Sequence, residues 1–207
     1  MDQNNEKILN SILIFSLLIS LSLPASSQME PHNVKNVAQS NKSVDVRISK
    51  DSIYYFNKAK SEYAYRDYNS AINDLTTSIK LYPKCESYAF RAVIKESIND
   101  NLGAIQDYNS AIKLNPNINI LYDGKGYAQL NSNYFYEAIK SFNYSIKLKP
   151  NDNNAWLGKA LVKTRLEDYN GVIQDLSEAI RLNPNNYNFF ELRATAKLNL
   201  RFYQDAI

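Results

Sequence analysis

The sequence predicts an all-α protein, a solenoid of antiparallel helix pairs, and three observations carry that prediction. Pro83, Pro116, Pro150 and Pro184 recur at steps of 33, 34 and 34 residues, each closing nearly the same phrase. Ahead of those prolines, apolar residues recur at helical spacing. In the third copy Ile139, Phe142 and Ile146, with Ala138 and Ser145 beside them, trace one face of a helix and could not alternate across a strand. Glycine is scarce, five residues in 207, which suits helices.

Each copy reads as two helices in order. Asp67, Asp100 and Asp168 stand just ahead of the second helices, where a short carboxylate accepts hydrogen bonds from free first-turn N–H groups and opposes the positive helix end. Proline stops the second helix, because it has no N–H and disfavours helical geometry in the residue before it. The Asn-rich stretches 151–154 and 183–186 are turns that supply caps for the next helix. One hairpin cannot bury its own apolar stripe, so stacking is expected to cover Ile72, Ile105, Ile139 and Ile173 between neighbours.

Aligned on the prolines, the copies place an aromatic at position 4 (Tyr55, Tyr88, Tyr122, Trp156, Phe190) and a small residue at position 8 (Ala59, Ala92, Gly126, Ala160, Ala194). Position 20 is Ala71, Ala104, Ala138, Val172 and Ala206; position 24 is Leu75, Tyr108, Phe142 and Leu176; position 27 is Ser78, Ala111, Ser145 and Ala179. With proline at position 32, this pattern resembles the tetratricopeptide repeat (TPR). The resemblance covers four full repeats, 52–84, 85–118, 119–152 and 153–186, and the first helix of a fifth in 187–207. It implies a right-handed superhelix. Two departures stand out: position 7, usually leucine, is Lys58, Arg91, Lys125, Lys159 and Arg193, and repeat 3 carries Tyr134 where the others have aspartate. The carboxylates Asp107 and Asp175, at position 23, are expected on the outside of the second helices. The position 4 rings are expected to be buried between helices.

The resemblance also implies a function. In that family the first helices line a concave groove, and positions 2, 5, 9, 12 and 13 face a bound peptide. Carried over, the groove presents Phe56, Lys60 and Tyr63 from repeat 1, Val93 and Glu96 from repeat 2, Asp123, Tyr127 and Leu130 from repeat 3, and Leu157, Leu161, Thr164 and Arg165 from repeat 4. Positions 5, 9 and 12 are expected to be exposed by helical periodicity. The clamp with which some members grip a peptide's terminal carboxylate is not carried over, since positions 5 and 9 of repeat 1 are Phe56 and Lys60. The implied role is a non-catalytic scaffold or adaptor that binds a peptide or helical segment. The alternative is the recognition portion of a longer enzyme, a transferase or protease, with further coding sequence beyond Ile207.

The ends of the chain read differently. Residues 8–23 are mostly Ile, Leu, Phe and Ser, broken by Pro24 and followed by the small residues Ala25, Ser26 and Ser27. This resembles a secretory signal over residues 1–27, with an uncleaved membrane anchor as the competing reading. The first implies export to a periplasm, lumen or extracellular space; the second tethers the chain to a membrane through residues 8–23. Residues 28–50 are polar and aperiodic, a flexible linker ahead of the array at 51–207. In repeat 5 a first helix over 190–200 is expected to turn into a second at Asp205. That would leave Leu198, Leu200, Phe202 and Tyr203 uncovered and open to self-association or a partner.

Charge and composition narrow the chemistry. Formal net charge is +3 and the charges are interspersed, with no basic tract of the kind nucleic-acid binding uses. Cys85 is the single cysteine and His32 the single histidine, so neither an internal disulfide nor a Cys-His pair is available. A thiolate at Cys85 would gain from the nearby helix start, yet a partly covered, inert thiol is the simpler expectation. The sequence offers no phosphate loop, metal-ligand cluster or Ser-His-Asp set, and therefore no expected cofactor, metal or catalytic residue.

Overall fold

The structure is a computed structural model that describes the backbone of residues 38–205 and the side chains of residues 47–201. Among the described residues every element is a helix: α1 (Ala38–Ala64), α2 (Tyr68–Leu81), α3 (Cys85–Ser97), α4 (Asn101–Leu114), α5 (Asn119–Asn131), α6 (Phe135–Leu148), α7 (Asn153–Arg165), α8 (Tyr169–Leu182) and α9 (Tyr187–Asp205). This is an all-α helical repeat array, in which odd-numbered helices are first helices and even-numbered ones second helices. The chain divides into two compact units, Met1–Leu114 and Asn115–Ile207. The expected signal or anchor at residues 1–27 lies outside the described residues, and among the described ones no helix is long and apolar enough to cross a membrane.

In the first unit α1 packs on α2, α2 on α3 and α3 on α4. Ala59, Ala71, Leu75, Phe90 and Ile94 form its core, with Phe56, Tyr63, Tyr68 and Ile72 packed against them. Small position 27 residues let helices approach closely: Ser78 Oγ donates to the Ser52 carbonyl at 2.9 Å, and Ser52 Oγ donates to the Ser78 carbonyl at 3.0 Å. These mutual bonds satisfy buried hydroxyls that would otherwise be costly.

In the second unit α5 packs on α6, α6 on α7, α7 on α8 and α8 on α9, while α5 also touches α7. Phe142 on α6 is fully buried, and burial of a side chain this size contributes about 1.5–3 kcal/mol. It fits because positions facing it are glycine. A Cβ on Gly126 would stand 2.8 Å from the Phe142 ring, and one on Gly158 would stand 2.3 Å from it.

The turn within each repeat is built four times in one register. Arg66, Asn99, Asn133 and Glu167, all at position 15, have φ near +60° (62°, 63°, 61° and 59°). Each left-handed residue lets the next N–H reach back to a carbonyl in the last turn of the first helix, as Asp67 N–H does to the Glu62 carbonyl and Asp168 N–H to that of Lys163. The expected caps follow at once. Asp67 accepts from Ser70 N–H at 3.2 Å, Asp100 from Gly103 N–H at 2.9 Å and Asp168 from Gly171 N–H at 2.9 Å. Tyr134, the departure in repeat 3, makes no side-chain cap.

Four expectations need correction. Helix α1 starts at Ala38, so residues 38–50 are not a flexible linker. No glycine or proline interrupts 38–64, and a helix already nucleated in repeat 1 extends backwards at little cost. In repeat 5 no turn follows residue 200, and α9 runs on to Asp205. Leu198 is 58% exposed, while the side chains of Phe202 and Tyr203 lie outside the described residues. The isoleucines Ile72, Ile105, Ile139 and Ile173 are half-buried, because positions 20, 24 and 27 point more directly into the helix contacts. Nor are the position 4 rings buried: Tyr55, Tyr88, Tyr122 and Trp156 are half-buried and Phe190 is exposed.

Candidate functional site

Each first helix carries, on successive turns, a ring at position 4 and a base at position 7, three residues apart and so on one face. Arg91 lies over the Tyr88 ring with 5.7 Å to its centroid, Lys159 over Trp156 at 4.6 Å and Arg193 over Phe190 at 5.6 Å. On its other side the base meets the position 23 aspartate of its own hairpin. Lys58 Nζ donates to Asp74 Oδ2 at 2.6 Å, Arg91 bonds Asp107 through both Nε and Nη2, and Lys159 pairs with Asp175 at 3.3 Å. Position 11 adds a second cation in repeats 2 and 4, Lys95 to Asp107 and Lys163 to Asp175, each at 2.8 Å.

Asp107 and Asp175 are thus 3% exposed and wedged between the two helices of a hairpin. The expectation that position 23 lies outside the second helices is wrong. The position 7 cation draws the aspartate in between the helices. A base at 7 recurs with an acid at 23 in copies 1, 2 and 4, and that recurrence within the sequence is the available signal.

Repeat 3 breaks the pattern. Its position 23 is Ser141, whose hydroxyl donates to Gln129 Oε1 at 2.7 Å. Its ring, Tyr122, stacks on Tyr144 with centroids 5.6 Å apart. Among the described residues Lys125 has no ion-pair partner, and burial, followed by the nearby Lys140, pulls its pKa below the usual lysine range.

The residues expected to line a groove separate by exposure. On α1, Phe56, Lys60 and Tyr63 sit at i, i+4 and i+7. Lys60 is exposed, and the half-buried rings of Phe56 and Tyr63 meet Phe90 edge-on at 5.9 Å and 5.4 Å. On α7, Leu161 and Thr164 are half-buried and Arg165 is exposed. Val93, Asp123, Tyr127, Leu130 and Leu157 are buried, contrary to the exposure expected of positions 5, 9 and 12. Small residues on neighbouring helices bring the chains close enough to cover them. Tyr127 packs edge-on against Phe142 at 5.0 Å, and its hydroxyl donates to the Asn154 carbonyl at 3.1 Å.

Two groove carboxyls are withdrawn as well. Glu96 accepts from the Tyr108 hydroxyl at 2.9 Å through Oε2, while its other oxygen is buried without a partner. Burial raises its pKa to about 8, against the smaller opposing effect of Tyr108. Asp123 is likewise pushed up to about 8, first by burial and then by the neighbouring Asp152 carboxylate. Asp152 caps α7 by accepting from Asn154 N–H at 3.0 Å, and it accepts from Asn119 Nδ2 at 2.6 Å. Cys85 is buried, and its thiol is raised to about 12 by burial and then by Glu86, the reverse of a reactive thiolate. Among the described residues no cluster of three or more His, Cys, Asp or Glu side chains is placed to hold a metal ion.

A family model described as tetratricopeptide repeat matches residues 86–118. A TPR repeat-containing protein of Methanocaldococcus jannaschii is 31% identical over 102 residues, a match that spans 46% of this chain and 18% of the relative. Among solved structures, MamA protein superposes with a TM-score of 0.69 at 16% identity, covering 76% of this chain and 86% of that one. The first TPR of Spaghetti (RPAP3), solved bound to the HSP90 peptide SRMEEVD, gives a TM-score of 0.55 at 22% identity, covering 57% of this chain and 94% of that one. At these identities the solved structures speak to the fold alone.

Proposed function

We propose that this chain, which matches a tetratricopeptide repeat model over residues 86–118, is a non-catalytic protein-interaction scaffold whose first-helix faces bind a peptide or helical segment of a partner. The observation that carries the reading is the stripe on α1. Phe56 and Tyr63 rest on Phe90, which fixes their rings, and exposed Lys60 stands between them. Rings held in place and flanked by a cation offer contact area at small entropic cost, the condition for an anchor in protein recognition. On α7, Leu161, Thr164 and Arg165 repeat the combination of an apolar body beside a cation. That a peptide occupies the first TPR of Spaghetti (RPAP3) supports the reading by analogy of fold. The ligand here differs in kind from one held by a carboxylate clamp, because Phe56 stands where that clamp has a base.

The buried residues Val93, Asp123, Tyr127, Leu130 and Leu157, with half-buried Glu96, whose one oxygen is covered, act beneath this surface and hold its shape. The test therefore uses the exposed cations. Affinity capture from the native host, resolved by mass spectrometry, compares the wild-type chain with the Lys60→Glu, Arg165→Glu double variant. Partners retained by the wild type and lost by the variant support the proposal; identical sets of partners contradict it. We also propose export or membrane tethering through residues 1–27, a reading that rests on their composition. The intact mass of the protein purified from its host decides whether that segment is cleaved.

A further inference from the structure

We propose that repeat 3 carries a seat for an acidic side chain of a partner protein at the unpaired Lys125 on α5, with exposed Lys140 on α6 beside it. This deepens the interaction reading above and rests on it. The argument is a comparison of one position in four copies. In repeats 1, 2 and 4 the position 7 cation is met by its own hairpin's aspartate, at 2.6, 2.7 and 3.3 Å. In repeats 2 and 4 a ring also lies beneath it.

Repeat 3 withholds both supports. Ser141 stands where the aspartate would be and turns its hydroxyl to Gln129, while Tyr122 is engaged by Tyr144. Lys125 remains a half-buried ammonium with no ion-pair partner among the described residues, and the charge acting on it is the like charge of Lys140. A partly desolvated cation beside a second cation is costly, and an entering anion offsets that cost. The sister repeats indicate which anion. In each of them the position 7 cation is met by a carboxylate on a short side chain, the chemistry an incoming aspartate or glutamate would supply to Lys125. Lys140 is exposed, which leaves a route from solvent and a second ammonium to meet the incoming group.

The test uses the full chain labelled with carbon-13 lysine, titrated at low ionic strength with a capped hexaglutamate peptide and, separately, with inorganic phosphate. The side-chain signals of Lys125 and Lys140 are expected to move saturably with the peptide, more than those of Lys159. Ser141→Asp supplies the missing carboxylate from within; it is expected to abolish the Lys125 response and to raise the unfolding midpoint. Lys125→Gln is expected to weaken peptide binding about tenfold. A uniform response of all lysines, or an unchanged Lys125 response in Ser141→Asp, overturns the proposal. Saturation by phosphate at the same concentration as peptide also overturns it, because the seat would then take any anion. In Lys60→Gln, Arg165→Gln the preferential shift of Lys125 and Lys140 over Lys159 is expected to persist, so failure of the seat and failure of the proposed faces of α1 and of α7 are separately visible.

Discussion

Arg91 and Asp107 form a two-point ion pair across the hairpin of repeat 2, Nε to Oδ2 at 2.9 Å and Nη2 to Oδ1 at 2.7 Å. Arg91 also donates from Nη1 to Thr76 Oγ1 at 2.8 Å, and Lys95 closes the remaining side of the carboxylate. The arrangement replaces a leucine contact with a polar one at the same place, and every charge in it has a partner.

Asp107→Asn is accordingly expected to destabilise the chain by about 3–5 kcal/mol, because it leaves Arg91 and Lys95 mostly covered with no counter-charge. Replacing all three partners, Arg91→Met and Lys95→Met with Asp107→Leu, is expected to cost far less. Urea denaturation of the two variants checks this, and equal losses in the single and combined variants would show that the charged cluster itself stabilises the hairpin.

The Phe142 ring fills the space over Gly158. Gly158→Ala places a methyl 2.3 Å from that ring, so α6 and α7 must part. A loss of about 1–3 kcal/mol is expected, as for other overpacked helix contacts. Phe142→Leu in the same chain is expected to recover part of it. Thermal unfolding of both variants reads the effect.

The buried acids make stability depend on pH in the direction opposite to paired carboxylates. Glu96 and Asp123 have folded-state pKa values raised to about 8, against about 4 in an unfolded chain. Their contribution is fully present below about pH 4, where both states are protonated, falls as pH rises towards 8, and is lost above that. Stability measured by urea denaturation is therefore expected to decline between pH 5 and pH 8.5 by several kcal/mol for the two together. Glu96→Gln and Asp123→Asn are each expected to flatten the slope. A flat wild-type profile would contradict the burial of these carboxyls.

At position 15 of repeat 4, Glu167 holds φ at 59°, a conformation that costs a non-glycine residue free energy. Glu167→Gly is expected to stabilise by a few tenths to about 1 kcal/mol, with the gain reduced by the added freedom of the unfolded chain. A drop in the thermal midpoint would show that the glutamate side chain holds the turn through contacts of its own.

The repeat itself was legible in the sequence because its proline period, small residues and caps are all local signals. The caps at Asp67, Asp100 and Asp168 and the missing cap at Tyr134 follow from spacing alone. Other features depended on how far apart helices pack, which periodicity does not report. Tyr127 and Leu157 have the spacing of groove residues, yet close helix approach at Gly126 and Gly158 covers them. The ion pairs are readable in principle, since a base at position 7 meets an aspartate at position 23 in repeats 1, 2 and 4, while Lys125 faces Ser141. Position 7 by itself shows only a base where a leucine is usual, and the pairing emerges only beside position 23 of the same copy. Residues 38–50 look like a linker by composition, but nothing in them stops a helix that starts elsewhere.

Site-specific photo-crosslinking tests the interaction reading most directly. A benzophenone amino acid is placed at Lys60 on α1, at Arg165 on α7 and, as a control, at exposed Lys80 on α2, and each protein is irradiated in extracts of its host. The account predicts discrete protein adducts from positions 60 and 165 that are absent from position 80. Adducts from position 80 alone, or none from 60 and 165, would contradict binding through the first-helix faces.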